Sequence, residues 1–509
     1  MKHCFIFFGI FCCINLFAQN GFNRKYTYGI GASTFHGVHF HNGEVIVVGT
    51  SYDSMPGYPV EDTFISFFDS DGNIVQKKQY IDTTLSYVYH KSITSFFNNG
   101  YFLSGSYFSK KHYINDGGFL FRLDSNYNVV WKKYYNSGDS LINYIFQNII
   151  VLEDSTVLIC GYQMEFDSLR KKHLRTSTFV LKVNSNGDQI WKKEYYKSKS
   201  GGGGMLIKSN RDNEFIITET SRDFSITNAK NYYSRIWLYA IDTSGIVQWE
   251  YITPPQELME SNQVINTKDN GFLFSGVSLR LEVHNPWVFY RHFQGVIYKI
   301  DSNKNYVWSV KPDTSFTSFI VSATELSDGS IIAVGGWNSK PFDGWMLKIS
   351  TLGEIIWQRR YSLLADEYGN HELTQAIAGP GGFIYAIGGV SGKDDNYYWR
   401  SWLLKLDSMG CVVPGCHTTG INDFKTPDSR ILVYPNPASE VLNIFTPDLG
   451  TPHEYRIINS LGQTVKAWKG NAGEITYIIP LNDFKEGIYY LEVTAGNTLL
   501  STEKFIVSK

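Results

Sequence analysis

The stretch "GFLFRLDSNYNVVWKKYY" (Gly118 to Tyr135) decides the fold. Two runs rich in aromatic and β-branched residues flank a polar turn, and a tryptophan sits in the second run. Residue types of this kind suit pleated strands, and Asp, Asn and Ser suit the turn between them. The phrase returns as "TFVLKVNSNGDQIWKKEYY" (178–196) and, more loosely, as "TFISFFDSDGNIVQKKQY", "IWLYAIDTSGIVQWEYI", "GVIYKIDSNKNYVWSVK", "GWMLKISTLGEIIWQRRY" and "SWLLKLDSMGCVV". That is seven copies, with Trp131, Trp191, Trp249, Trp308 and Trp357 in one column.

A companion phrase precedes each copy, as in "NGEVIVVGTS", "DSTVLICGYQ" and "DGSIIAVGGW". Its glycine column is Gly49, Gly105, Gly161, Gly276, Gly335 and Gly388, in steps of 56, 56, 115, 59 and 53 residues. The step of 115 is two repeats, because the fourth copy carries Glu219 where the others carry glycine. Each period holds these two phrases and a further short strand upstream, such as "HKSITSFF" or "NQVINTK", making four strands in all. Four short strands repeated seven times are expected to form an all-β, seven-bladed β-propeller, since one blade cannot bury its own faces.

The seventh copy ends at "GCVVPGC" without a fourth strand. "FNRKY" (Phe22 to Tyr26) supplies one, with an aromatic and a tyrosine four apart, as in Trp131 and Tyr135 or Trp357 and Tyr361. The N-terminal strand is therefore expected to complete blade seven and remove two open edges. The tryptophan column is expected to pack between blades. The phrase resembles the bacterial seven-bladed propeller repeat, in the pattern F-x-x-K-x-D-x-x-G-x-x-x-W, across residues 22 to 413. Propellers of that kind share no single activity.

The 509 residues carry a net charge of -2, which gives no electrostatic case for binding nucleic acid or an acidic membrane. The opening "MKHCFIFFGIFCCINLFAQN" has a lysine, a short apolar run and Ala18, the pattern of a signal peptide cut after residue 18. A lipid anchor at Cys12 or Cys13 is the weaker reading, because Phe11 stands where a small residue is wanted. No other segment has the length and apolarity to cross a membrane as a helix. Of the remaining cysteines, Cys160 lies in a strand pattern as a small hydrophobe. Cys411 and Cys416 flank a tight turn and are expected to form a disulfide.

After Pro414 the composition changes. Residues 414–430 read as a breaker-rich linker following the propeller (19–413), and 431–509 as a small β-sandwich of Ig-like type. The tail contains Tyr434-Pro435-Asn436-Pro437-Ala438, then Leu461-Gly462, Gly487-Ile488-Tyr489-Tyr490 and Lys504-Phe505-Ile506-Val507. In that order these resemble the type A C-terminal sorting domain of the type IX secretion system. The resemblance implies passage through a Gram-negative outer membrane with the secretion machinery as partner. It also implies removal of the tail and display on the cell surface. Its motif residues here are Pro435, Asn436, Pro437, Gly487, Tyr489 and Lys504. An ordinary fibronectin-like module is the alternative.

No catalytic constellation stands out. "DSDGN" (69–73) is placed wrongly for an EF-hand, with Tyr80 at the twelfth position, and reads as a turn. His39 and His41 share a strand face, but no third metal ligand is evident. "GGGG" (201–204) precedes a strand, so no phosphate loop is supported, and neither G-x-S-x-G nor H-E-x-x-H occurs. No cofactor is expected, and a monomer is.

The connections between second and third strands are long, as at 51–62, 106–117 and 277–294, and lie on the face that also carries the blade-to-blade links. Function favours elaborated loops on a rigid scaffold. Candidate ligand-binding aromatics there are Tyr107, Trp287, Tyr290, Trp337, Tyr398 and Trp399, with Tyr113 nearby. They suit a glycan or a protein ligand, or else they pack on one another as loop filling. An enzyme acting on glycans (a lyase or hydrolase) and a purely structural surface protein stay open as alternatives.

Overall fold

The computed structural model describes residues 21–412 and 432–508, less short segments that include 110–114, 196–203, 224–232, 254–259, 286–287, 313–316, 338–341, 364–368, 435 and 447–452. Two compact units emerge, Met1–Pro312 with Ser318–Cys416, and His417–Lys509 with a short stretch before Ser318.

The first unit contains seven four-stranded antiparallel sheets. Blades 1 to 6 run from Ser33 to Tyr80, Leu85 to Tyr135, Ile142 to Tyr195, Leu206 to Ile252, Glu260 to Val310 and Ser318 to Tyr361. Blade 7 takes Asn370–Ala378, Ile384–Ser391 and Arg400–Leu406, and its outermost strand is Phe22–Tyr26. The pairing runs from Phe22 opposite Lys405 to Tyr26 opposite Ser401. The N-terminal strand closes the ring, as the spacing of its aromatics requires.

The seams explain the repeated phrase. Trp131 of blade 2 lies against the turn glycine of blade 3, so that a Cβ on Gly187 would come within 2.8 Å of the indole. Trp191 meets Gly245, Trp308 meets Gly353 and Trp357 meets Gly410 in the same way, and Phe22 meets Gly72. The tyrosine four residues further on donates its hydroxyl to the carbonyl of that same turn. Tyr135 reaches Gly187 at 2.8 Å, Tyr195 reaches Gly245 at 2.9 Å and Tyr361 reaches Gly410 at 2.8 Å. Blade 5 lacks this tyrosine and has Pro312 in its place, but Trp308 donates its Nε1–H to the Thr351 carbonyl at 3.1 Å.

In six blades the turn is held by one acidic or amide side chain, and in blade 6 by the Ser350 hydroxyl. Asp69 Oδ1 accepts the backbone N–H of Asp71 at 2.9 Å and of Asn73 at 2.8 Å, and Asp124, Asn184, Asp242, Asp301 and Asp407 repeat the pattern. These bonds hold the Asp69 carboxyl below the usual carboxylate range. The calcium-loop look of "DSDGN" thus has a local cause in chain geometry.

The glycine column has a steric cause. In six blades the innermost strand shifts register opposite it, as between Ile320 and Ser322 or between Leu373 and Gln375. The irregularity presses a carbonyl onto the glycine. A Cβ on Gly335 would stand 1.9 Å from the Phe319 oxygen, and one on Gly388 would stand 1.8 Å from the Glu372 oxygen. Blade 4 is the exception, because its innermost strand is only Leu206–Lys208 and pairs no further than Ile217. Glu219 fits there, fully buried, accepting a hydrogen bond from the Tyr239 hydroxyl at 3.2 Å.

The second unit packs a three-stranded sheet (Leu432–Tyr434, Val441–Thr446, Ile475–Pro480) with a four-stranded one. The latter is ordered Thr464–Gly470, His453–Asn459, Gly487–Ala495 and Thr498–Val507. Leu442, Ile444, Tyr455, Ile457, Leu491, Val493 and Phe505 form its core. No helix among the described residues is long and apolar enough to cross a membrane.

Candidate functional site

Antiparallel strand order puts the connections between second and third strands on the same face as the blade-to-blade links. Several of them differ from the loops expected from sequence. In blade 5 the strands Phe272–Asn285 and Val288–Ile300 stay paired out to Asn285 opposite Val288. In blade 1 the pairing reaches Met55 opposite Tyr58. The elaborations are strands that continue as projecting hairpins, a conformation in which the chain satisfies its own backbone hydrogen bonds away from the core. The alternation of Leu279, Leu281 and Val283 with polar neighbours carried that signal. The opposite face carries the tight Asp-type turns.

The candidate aromatics divide. Tyr107 is buried, edge-on to Tyr134 at 5.1 Å, within the core that includes Tyr87 and Phe119. Trp337 is buried too, edge-on to Trp345 at 5.4 Å with the Arg360 guanidinium over it. Both rings are buried and present no exposed face to a ligand. Tyr290 belongs to the projecting hairpin of blade 5, paired opposite Glu282. Trp287 and Tyr113 lie outside the described residues.

Tyr398 and Trp399 fall in the connection of blade 7. Tyr398 is about half exposed, with the Arg400 guanidinium 5.9 Å from its ring centre, while Trp399 is partly buried over Gly389. Beside them is Tyr397, about half exposed, which sequence reasoning passed over although "DDNYYW" contains it. A short 3-10 turn, Lys393–Asp395, is followed by Asn396 at φ 52° and Tyr397 at φ 60°. Left-handed backbone is uncommon for a bulky residue, and it persists only where the surroundings fix it. Here Asp395 does so, accepting from Lys25 at 2.7 Å and from Arg400 at 3.2 Å. Arg400 also donates to the Gly31 carbonyl. Burial pushes the Asp395 carboxyl upward, but the bonds from Lys25 and Arg400 together outweigh it and the pKa falls below the ordinary value.

Among the described residues no group of three His, Cys, Asp or Glu side chains could hold a metal ion. Cys160 is buried and its thiol is pushed up by burial. Cys411 is buried and disulfide-bonded, and its expected partner Cys416 lies outside the described residues.

In the tail the motif residues meet. Asn436 Nδ2 donates to the Lys504 carbonyl at 3.0 Å, and Asn436 Oδ1 accepts the Ile506 N–H at 2.9 Å. The Ala438 N–H then bonds to the Ile506 carbonyl at 2.8 Å. Asn436 and Ala438 together line the outer edge of the last strand, with Asn436 and Pro437 joined by a cis peptide bond. Tyr489 stacks on Phe505 and donates to the Lys485 carbonyl at 2.8 Å. Gly487 has φ 151°, which L side chains rarely adopt. Pro435 lies outside the described residues.

Residues 432–508 match the family of secretion system C-terminal sorting domains. Fold and tail together define a β-propeller exported by the type IX system, to the outer-membrane surface or the extracellular space. No curated protein matches the chain. Among solved structures, PorZ of Porphyromonas gingivalis, described as an essential bacterial surface component of the type IX secretion system, is similar at 9% identity and a TM-score of 0.40, over 94% of this chain and 59% of that one. A puromycin hydrolase is similar at 11% identity and a TM-score of 0.46, over 81% and 58%. The β-propeller domain of the Trilobed protease of Pyrococcus furiosus is similar at 10% identity and a TM-score of 0.41, over 73% and 93%. This chain spans less than two thirds of the first two proteins, and likenesses of this size carry no argument about it.

Proposed function

We propose that the chain is a surface-displayed binding propeller that captures a glycan or protein ligand on its hairpin face. One asymmetry supports this reading. The hairpin face carries projecting strands and the exposed Tyr397–Tyr398 pair, whereas among the described residues the other face carries short turns. Rigid scaffolds with one elaborated face place recognition there.

In this proposal residues 1–18 are a signal peptide and the tail is removed after export. The mass of the cell-surface form checks both, and a C-terminus at Lys509 would refute the removal. The ligand is tested with purified propeller on a glycan array, beside a turnover assay on the same glycans and capture of surface proteins by the same propeller. Saturable binding without turnover, weakened by Tyr397→Ala with Tyr398→Ala, supports capture. Turnover would favour a glycan-acting enzyme instead.

A further inference from the structure

The hairpin of blade 5 outruns its own blade. Its second and third strands stay paired from Phe272 opposite Ile300 to Asn285 opposite Val288. The innermost strand stops pairing at Glu260 opposite Val277, and the outermost at Val310 opposite Ile297. Residues 278–285 and 288–296 therefore continue as a two-stranded ribbon, about 25 Å long at the rise of a strand. Among the described residues no third strand pairs with either edge of it. Phe293, opposite Leu279 near the base, is 41% exposed. A lone two-stranded ribbon is marginal in water, and an open edge is a template for another strand.

Sheet edges that stay single are blunted by proline, charge or a bulge. The shorter ribbon of blade 1 carries Pro59 together with Asp53, Glu61 and Asp62. The blade 5 edge "SLRLEV" (278–283) has neither proline nor lysine, and its register is unbroken. This edge is also complementary to itself. An antiparallel partner centred on Leu281 sets Arg280 opposite Glu282 of a second copy, and Glu282 opposite that copy's Arg280. Leu281 then falls opposite Leu281, and Leu279 opposite Val283. Residues directly opposite share a face, so the aliphatic positions of both copies lie on one face and the four charges on the other. Opposite charges across a strand pair stabilise it, and like charges weaken it. The other edge, "VFYRHFQ" (288–294), holds an arginine and a histidine with no acid to match them.

We infer that the partner of the blade 5 ribbon is a second copy of this chain. Two ribbons pair edge to edge through residues 279–283, about a two-fold axis at Leu281. The contact is isologous, so it closes at two copies, and it joins two marginal ribbons into one four-stranded sheet. A dimer thus takes the place of the monomer expected from the sequence. Self-association of this kind does not depend on ligand capture.

The test is the mass of the purified chain in solution, measured by sedimentation equilibrium over a concentration series. The wild type is expected to reach twice the chain mass. Glu282→Arg alone and Arg280→Glu alone each set like charges opposite at two places, and each is expected to weaken dimerisation about tenfold or more. Mixing the two single variants is expected to restore a dimer, because every reversed charge then faces its opposite on the other copy. Arg280→Glu combined with Glu282→Arg in one chain is expected to restore it too. Thermal unfolding shows which variants are folded. If a single variant melts early, the double variant decides, since it keeps both residue types. A wild type that stays monomeric would overturn the inference. So would single variants that dimerise as well as wild type, or a mixture of folded single variants that stays monomeric. Ligand capture is scored separately with the Tyr397 and Tyr398 variants, so failure of one reading leaves the other standing.

Discussion

Tyr26 donates its phenolic hydroxyl to the carbonyl of Gly72 at 2.6 Å, joining the first strand of the chain to the turn of blade 1. The bond repeats what Tyr135 does for Gly187 inside the ring, so the closing seam uses the same latch as the interior ones. Burial raises the Tyr26 pKa to about 12, against a lowering by Arg24, and the hydroxyl stays protonated as a donor at neutral pH.

Tyr26→Phe is expected to lower stability by about 1–2 kcal/mol, since it strands a part-buried carbonyl while keeping the ring packing. Deleting Phe22 to Tyr26 should cost far more, because blade 7 then exposes an unpaired edge. Denaturant unfolding of the purified propeller measures both. Equal midpoints for the deletion and the wild type would show that this strand does not close the ring.

Gly388→Ala and Gly335→Ala are expected to destabilise by about 2 kcal/mol or more, through overpacking against the Glu372 and Phe319 carbonyls. The clash is with backbone and cannot be relieved by a rotamer change. The check is the shift in unfolding midpoint for each variant.

Trp357→Ala, which empties a seam position, should cost roughly 3–5 kcal/mol. Tyr398→Ala removes a half-exposed ring and should stay within about 0.5 kcal/mol of wild type. Paired thermal scans separate them. A Tyr398 variant that melts as early as the Trp357 variant would mark Tyr398 as packing and remove it from the proposed binding face.

The Asp395 bridge should make part of the stability pH-dependent. Its folded pKa lies below the unfolded value of about 3.9, so its contribution is present at neutral pH and is lost as pH falls through the folded value. Asp395→Asn should therefore lower the melting temperature at pH 7, and the gap to wild type should close in acid. A gap independent of pH would assign the effect to something other than the carboxylate.

Much of this architecture is local and was legible in the sequence. Side-chain alternation and turn residues mark strands one at a time, and their seven-fold recurrence fixed the number of blades and the missing strand at Phe22 to Tyr26. The sorting motifs were likewise legible, being short and ordered along the tail. Contacts across strands and seams were not, because they depend on register and on neighbours distant in sequence. Register buried Tyr107 and Trp337, left Tyr397 and Tyr398 half exposed, and turned expected loops into paired hairpins. A shortened inner strand in blade 4 explains why Glu219 stands where a carbonyl elsewhere demands glycine.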